Sequence, residues 1–314
     1  MCYSALVWTD FRKYQRAYGA DLDIQRFVEL YAARARDARI RIPKGVDLAF
    51  LSDSSPQAFA IREHIDAWNT VLVSRSEQEL FKQAKRLADA QRQLAVTETK
   101  AALNERRVAG NKISQLKRWI ADGKRREPDP ARDDRIFPDW YAPVLLEEEG
   151  KRLVRPMRYH LRPAGMDASL DRTKSGKISG TYNARRDNLS RFWRHQFGHT
   201  QALLVASVFY ENVDDGNGGS MELQFSPRTA EDMLIACLWS HWTDPAGGLP
   251  DLDSFAAITD EPEPEVAAVG HDRTVINIKP EHVDSWLSPN GDTAGMQAIF
   301  DDKRHPYYEH RKAA

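Results

Sequence analysis

The stretch Gln201-Ala202-Leu203-Leu204-Val205-Ala206-Ser207-Val208-Phe209-Tyr210 decides how the rest of the chain is read. It carries no charge, is too short to span a membrane, and reads as a buried strand. Glu211 follows it directly and places a carboxylate at the strand end. Comparable short apolar runs lie at 144–146, 222–225, 233–239, 255–259 and 275–278, each set off by turn residues. Together they imply a β-rich core with helices attached, an α+β chain.

Working outward, residues 3–8 read as a short strand that would tuck the N-terminus into the body. Residues 21–36 carry Ile24, Phe27, Val28, Tyr31 and Ala35 at helical spacing. Residues 40–43 and 46–51 read as extended segments around a Pro43-Lys44-Gly45 turn. From 76 to 122 the pattern predicts one helix of roughly 45 residues, about 70 Å long at 1.5 Å per residue, unless Gly110-Asn111 divides it. Ser76 with Glu79 reads as its capping box, and Leu80, Ala84, Leu87, Gln91 and Leu94 as a heptad-like stripe. Helices are also expected over 187–196 and 280–287, the second with Trp286 facing inward. The expected domains are therefore one body formed by 1–70 and 129–314, with a helical insertion at 71–128.

The 314 residues are 41% hydrophobic and contain two cysteines, Cys2 and Cys237, too few for a disulfide framework. No apolar run approaches a membrane span and the start is not a secretory signal, so an intracellular protein of cytoplasm or nucleoid is expected. The net charge of −1 conceals a division. Residues 76–126 hold 13 Lys/Arg against 6 Asp/Glu, and 155–200 hold 10 against 3, whereas 211–272 hold 1 against 14. A basic face for a polyanion fits that asymmetry, and so does ordinary solvated surface.

Met1-Cys2 carries the most reactive possibility. Removing Met1 would leave Cys2 with a free amine beside its thiol, both with reference pKa values near 8. An aldehyde meeting that pair gives a Schiff base and then a five-membered thiazolidine. By itself a Met-Cys start is no more than a coincidence; its weight comes from the residues that accompany it.

Those residues form an ordered set: Asn183-Ala184-Arg185-Arg186-Asp187, Phe209-Tyr210-Glu211-Asn212 and His271-Asp272-Arg273-Thr274-Val275. With Met1-Cys2 they resemble the SOS response-associated peptidase family, whose motifs are an N-terminal Met-Cys, Asn-Ala-Arg-x-Glu, Phe-Tyr-Glu-Trp and His-x-Arg-Met-Pro. Softer matches are Tyr141-Ala142-Pro143, the segment Leu161-Arg162-Pro163-Ala164-Gly165 and His305-Pro306. The resemblance covers residues 1–60 and 130–308. Where the family has Met-Cys-Gly-Arg, this chain has Tyr3-Ser4 after Cys2, so a basic side chain beside the nucleophile is missing. Asp187 replaces Glu, Asn212 replaces Trp, and Thr274-Val275 replaces Met-Pro.

The resemblance implies a single α+β domain with a barrel-like core of mixed or antiparallel strands, interrupted by the helical insertion. It implies loss of Met1 and covalent capture of abasic sites in single-stranded DNA by Cys2, with no cofactor and no metal. His271 would assist opening of the sugar, Glu211 would move protons at the amine, and Asn183 would orient the amine or sugar. Arg185 and Arg273, with Arg162 and Arg186 as secondary candidates, would hold phosphates.

Each of these residues also has an ordinary reading: Asn183 as a helix cap, Glu211 as a surface carboxylate, His271 as a turn residue, the arginines as salt-bridge partners. Two other functions fit the same residues: an N-terminal-nucleophile peptidase or amidohydrolase, and an interaction protein acting through the 76–122 helix on a partner or a second copy. His195 with His199, and Cys237 with His241, have zinc-like spacing, but on a strand four residues span about 13 Å and separate the second pair. Trp140 and Trp193 are the aromatic candidates for base stacking.

Overall fold

The computed structural model describes residues 3–313, so Met1 and Cys2 lie outside the described residues. The chain divides into two compact units, one formed by 1–49 with 129–314 and the other by 50–128.

The first unit begins with strand β1 (Ser4–Val7), helix α1 (Phe11–Tyr18), β2 (Asp21–Leu22) and α2 (Ile24–Arg36). Helix α3 (Lys44–Ser52) carries the chain to the division. An extended reading of 46–51 is corrected here. Val46, Leu48 and Phe50 alternate like a strand, but Asp47 between them is buried as well, accepting hydrogen bonds from Tyr31 Oη (2.8 Å) and Arg34 Nη1 (3.0 Å). A helix buried nearly all round produces the same pattern.

The second unit holds α4 (Phe59–Val96), of 38 residues, and α5 (Lys100–Lys124), of 25. The single helix from 76 is therefore a hairpin. Its turn falls at Thr97-Glu98-Thr99, where the Thr99 side chain caps α5 through Ala102 N, and Gly110-Asn111 lies inside a continuous helix. Ser76 is no cap; it sits buried within α4. The helices run antiparallel, with Lys124 on Glu77 (2.8 Å) and Arg86 on Glu105 (2.7 Å). Asn69, Ser76, Gln83 and Ala90 are buried at intervals of seven, as are Ala102, Ala109, Leu116 and Gly123. That is a heptad seam of mostly small side chains. Leu80, Leu87 and Leu94 flank it half-buried, whereas Ala84 and Gln91 are exposed.

Back in the first unit come α6 (Pro130–Asp133), β3 (Arg135–Ile136), β4 (Tyr141–Glu148), β5 (Lys151–Tyr159), β6 (Asn183–Arg185), β7 (Gln201–Asp214), β8 (Ser220–Pro227), β9 (Met233–Trp242) and β10 (Leu252–Asp260). Then follow α7 (Pro264–Ala267), β11 (Thr274–Val275), α8 (Val283–Leu287), α9 (Thr293–Asp301) and β12 (Tyr308–Lys312). The helix expected over 187–196 is instead one 3-10 turn at Arg186–Asn188 followed by irregular turns.

Among the described residues all strands belong to one 12-stranded sheet, mostly antiparallel, with β2 parallel to β5 and β10 parallel to β5 and β6. The pairings β10–β5, β5–β4, β4–β7, β7–β9 and β9–β10 return to their starting strand. Two cores result. Ala202, Leu204, Ala206 and Phe209 of β7 face one built mainly by strands; Leu203 and Val205 face another that includes Trp286 of α8 and Phe300 of α9. Burial on both faces is why β7 reads as an unbroken apolar run rather than an alternation.

Candidate active site

Glu211, expected at a strand terminus, lies inside β7, which continues to Asp214 in register with β8, and there its carboxylate meets His271. Glu211 is 2% exposed, and its Oε2 lies 3.3 Å from His271 Nε2. His271 arrives from the turn after α7, where Gly270 has φ 85°, a conformation that favours glycine. Its Nδ1 is 2.9 Å from the Arg273 carbonyl oxygen and 3.4 Å from Arg273 N, while Nε2 faces the carboxylate. Burial raises the Glu211 pKa against the pull of His271. Burial works against the imidazolium, but the hydrogen bond and charge of Glu211 outweigh it and raise the His271 pKa as well. Both shifts favour the protonated form of the group.

Asn183 comes from β6 on the other flank of β10. Thr259 of β10 is in register with Arg185 on one side and with Val275 on the other, so β6 and the His271 segment flank the same end of β10. Asn183 is 6% exposed, and among the described residues neither its Nδ2 nor its Oδ1 has a hydrogen-bond partner. A buried amide in that state costs about 1–3 kcal/mol and is suited to a ligand that satisfies it. Asn183 lies on β6, and the 3-10 turn that follows has Arg185 rather than Asn183 at its N-cap.

Cys2 itself is outside the described residues, but its chain neighbour is placed. Tyr3 N donates to Tyr210 O at 3.3 Å, and Ser4 is in register with Tyr210, so β1 runs alongside the β7 residues that precede Glu211.

The four arginines separate. Arg185 is half exposed and paired with Asp187. Arg273 is buried, with Nε 3.9 Å from Asp272 Oδ2. Arg186 is held by Asp260 (3.1 Å), Asp301 and Gln297. Arg162 is buried, bound to Asp171 and lying 4.1 Å over the Trp242 ring. Asp171, shared between Arg162 and Arg158, is lowered to about 2 although burial opposes this.

One residue near the site had no local signal in the sequence. Arg135 of β3 donates to Ser4 Oγ through Nε (3.0 Å) and Nη2 (2.7 Å). Its guanidinium lies 3.6 Å over the Tyr210 ring. Only the pairing of β3 with β1 brings it there.

Among the described residues no group of three His, Cys, Asp or Glu is placed to hold a metal ion. Cys237 is buried in the strand-built core, while His241 binds Asp253 at 2.7 Å.

A family model described as SOS response associated peptidase (SRAP) matches residues 78–312, about three quarters of the chain. The chain belongs to this family. It is similar to a solved protein of Bordetella bronchiseptica at 20% identity, over 58% of this chain and 87% of that one, with a TM-score of 0.46. A Bacteroides thetaiotaomicron protein is 14% identical over 57% and 77%, with a TM-score of 0.46. A phage-related protein of B. bronchiseptica is 18% identical over 61% and 85%, with a TM-score of 0.43. No curated protein matches. The SRAP match begins inside α4 and ends in β12, and so includes Asn183, Glu211 and His271 but not the strand that follows Cys2.

Proposed function

We propose that this SRAP protein captures abasic sites in single-stranded DNA through Cys2 after Met1 is removed. The family ties the chain to the DNA-damage response. The observation that carries the finer reading is the buried Glu211–His271 pair, which begins one residue after the Tyr210 carbonyl that accepts the backbone N–H of the residue following Cys2.

The abasic sugar is mostly a closed hemiacetal. Opening it moves the hydroxyl proton to a base and a proton to the ring oxygen, and the adjacent carboxyl and imidazole of Glu211 and His271 offer an acid and a base in one place. The Cys2 amine then adds to the aldehyde and water leaves, giving a Schiff base. The thiol adds across the C=N bond, its proton ends on nitrogen, and the thiazolidine closes with one water lost overall. Asn183 offers its buried amide to the sugar or the amine. Arg185, exposed beside Asp187, meets a flanking phosphate, with Arg273 as a second contact.

Intact mass measured with and without an abasic oligonucleotide tests this. Protein lacking Met1 should gain the oligonucleotide mass less one water, in an adduct stable to denaturant, and Cys2→Ser should gain nothing. Equal yields from the two, or none from processed wild type, would falsify capture. An acyl group retained on Cys2 from an activated amide, with indifference to DNA, would assign the site to a peptidase instead.

A further inference from the structure

We infer that Tyr3 and Phe137 form a stacking platform for the base next to the abasic nucleotide, with Arg135 held against Phe137. This rests on the capture reading for the position of the abasic sugar. Tyr3 is bonded to Cys2, so a base adjoining a sugar held there is within reach of its ring.

The platform is built rather than incidental. Tyr3 is 40% exposed although its backbone is fixed by Tyr210 O, and its ring meets that of Phe137 edge-on at 5.9 Å. Phe137 in turn packs on Trp140 at 5.4 Å. Arg135 lies 4.8 Å over Phe137 and 3.6 Å over Tyr210, and is anchored by Ser4 and Glu222. The Arg135 cation so close to the Phe137 and Tyr210 rings attracts both and helps hold Phe137 in place. A large aromatic side chain held open to solvent in this way forgoes burial, and sequence-tolerant base stacking is what such a face supplies.

The test uses the full-length protein and a single-stranded oligonucleotide carrying a tetrahydrofuran residue, which lacks the aldehyde and permits binding without capture. 2-Aminopurine is placed on one side of it or the other. Wild type should quench the emission from one of the two positions. Tyr3→Ala should abolish the quench and weaken binding about five- to hundredfold, while Tyr3→Trp restores both. Phe137→Leu, which keeps apolar bulk, should lose part of the quench. Unchanged quench and affinity in Tyr3→Ala overturns the platform, as does absence of quench at both positions in wild type. Adduct formation on a true abasic oligonucleotide is followed in parallel. Adduct without quench overturns the platform and leaves capture standing; quench without adduct does the reverse.

Discussion

Glu211 and His271 lie 3.3 Å apart and each raises or lowers the other's proton affinity, which makes the pair testable by pH. Glu211 is raised above the ordinary carboxylate range by burial, so the acid limb of a capture-rate profile should lie above about 4.3. His271 is raised by Glu211, so its protonated form should persist above about 6.5 and the alkaline limb should lie beyond that value. Glu211→Gln removes the charge that holds the imidazolium. The His271 titration followed by NMR should then move to lower pH, and single-turnover capture should slow by about 100-fold or more. A His271 titration unmoved by the substitution would show that the two are not coupled. At the same scale, Arg162 spends its guanidinium on Asp171 and Trp242. Arg162→Lys should therefore lower the melting temperature and leave DNA affinity unchanged; a loss of affinity at constant stability would return Arg162 to the phosphate contacts.

At the scale of elements, the N-terminal strand is held by a clip. Asp134, immediately before β3, accepts Val7 N on its carbonyl (3.0 Å) and Thr9 Oγ1 on its carboxylate (2.9 Å). Burial raises its pKa to about 6, against the Thr9 hydrogen bond. An acid whose folded pKa exceeds its unfolded value of about 3.9 costs stability once it ionises, so the penalty is absent below pH 4 and complete above pH 6. Because Asp134 is partly solvated, Asp134→Asn should gain only about 1 kcal/mol at pH 7.5, vanishing by pH 4, in paired denaturation curves. A gain independent of pH would place its origin elsewhere. The elements themselves were legible where burial is two-sided: the runs 201–210 and 233–239 are β7 and β9. Reading failed where two causes give one pattern. Val46, Leu48 and Phe50 mimic a strand inside a buried helix, and the 76–122 stretch hid a turn marked only by Thr99 as a cap. In the site, Glu211, His271 and Asn183 stood in motifs. Arg135 stood in none, because its place depends on which strand β1 chooses as a neighbour.

At the scale of the whole molecule, the two units carry separate kinds of core. The first buries large side chains, among them Trp242, Trp286 and Phe300, around a 12-stranded sheet. The second depends on a seam in which Ala90, Ala102, Ala109 and Gly123 let two helices approach, with Leu116 among the few large residues it buries. A small two-helix unit buries too little apolar surface to be very stable, so it should melt before the first. Calorimetry should accordingly resolve two transitions. Leu116→Ala should cost about 2–3 kcal/mol and move only the earlier one, whereas Trp286→Ala should cost about 3–5 kcal/mol and move the later one. Capture yield at a temperature below both transitions should be untouched by Leu116→Ala, because Asn183, Glu211 and His271 all belong to the first unit. A single transition shifted by either substitution would show instead that the hairpin and the sheet fold as one cooperative body, and the site would then depend on both.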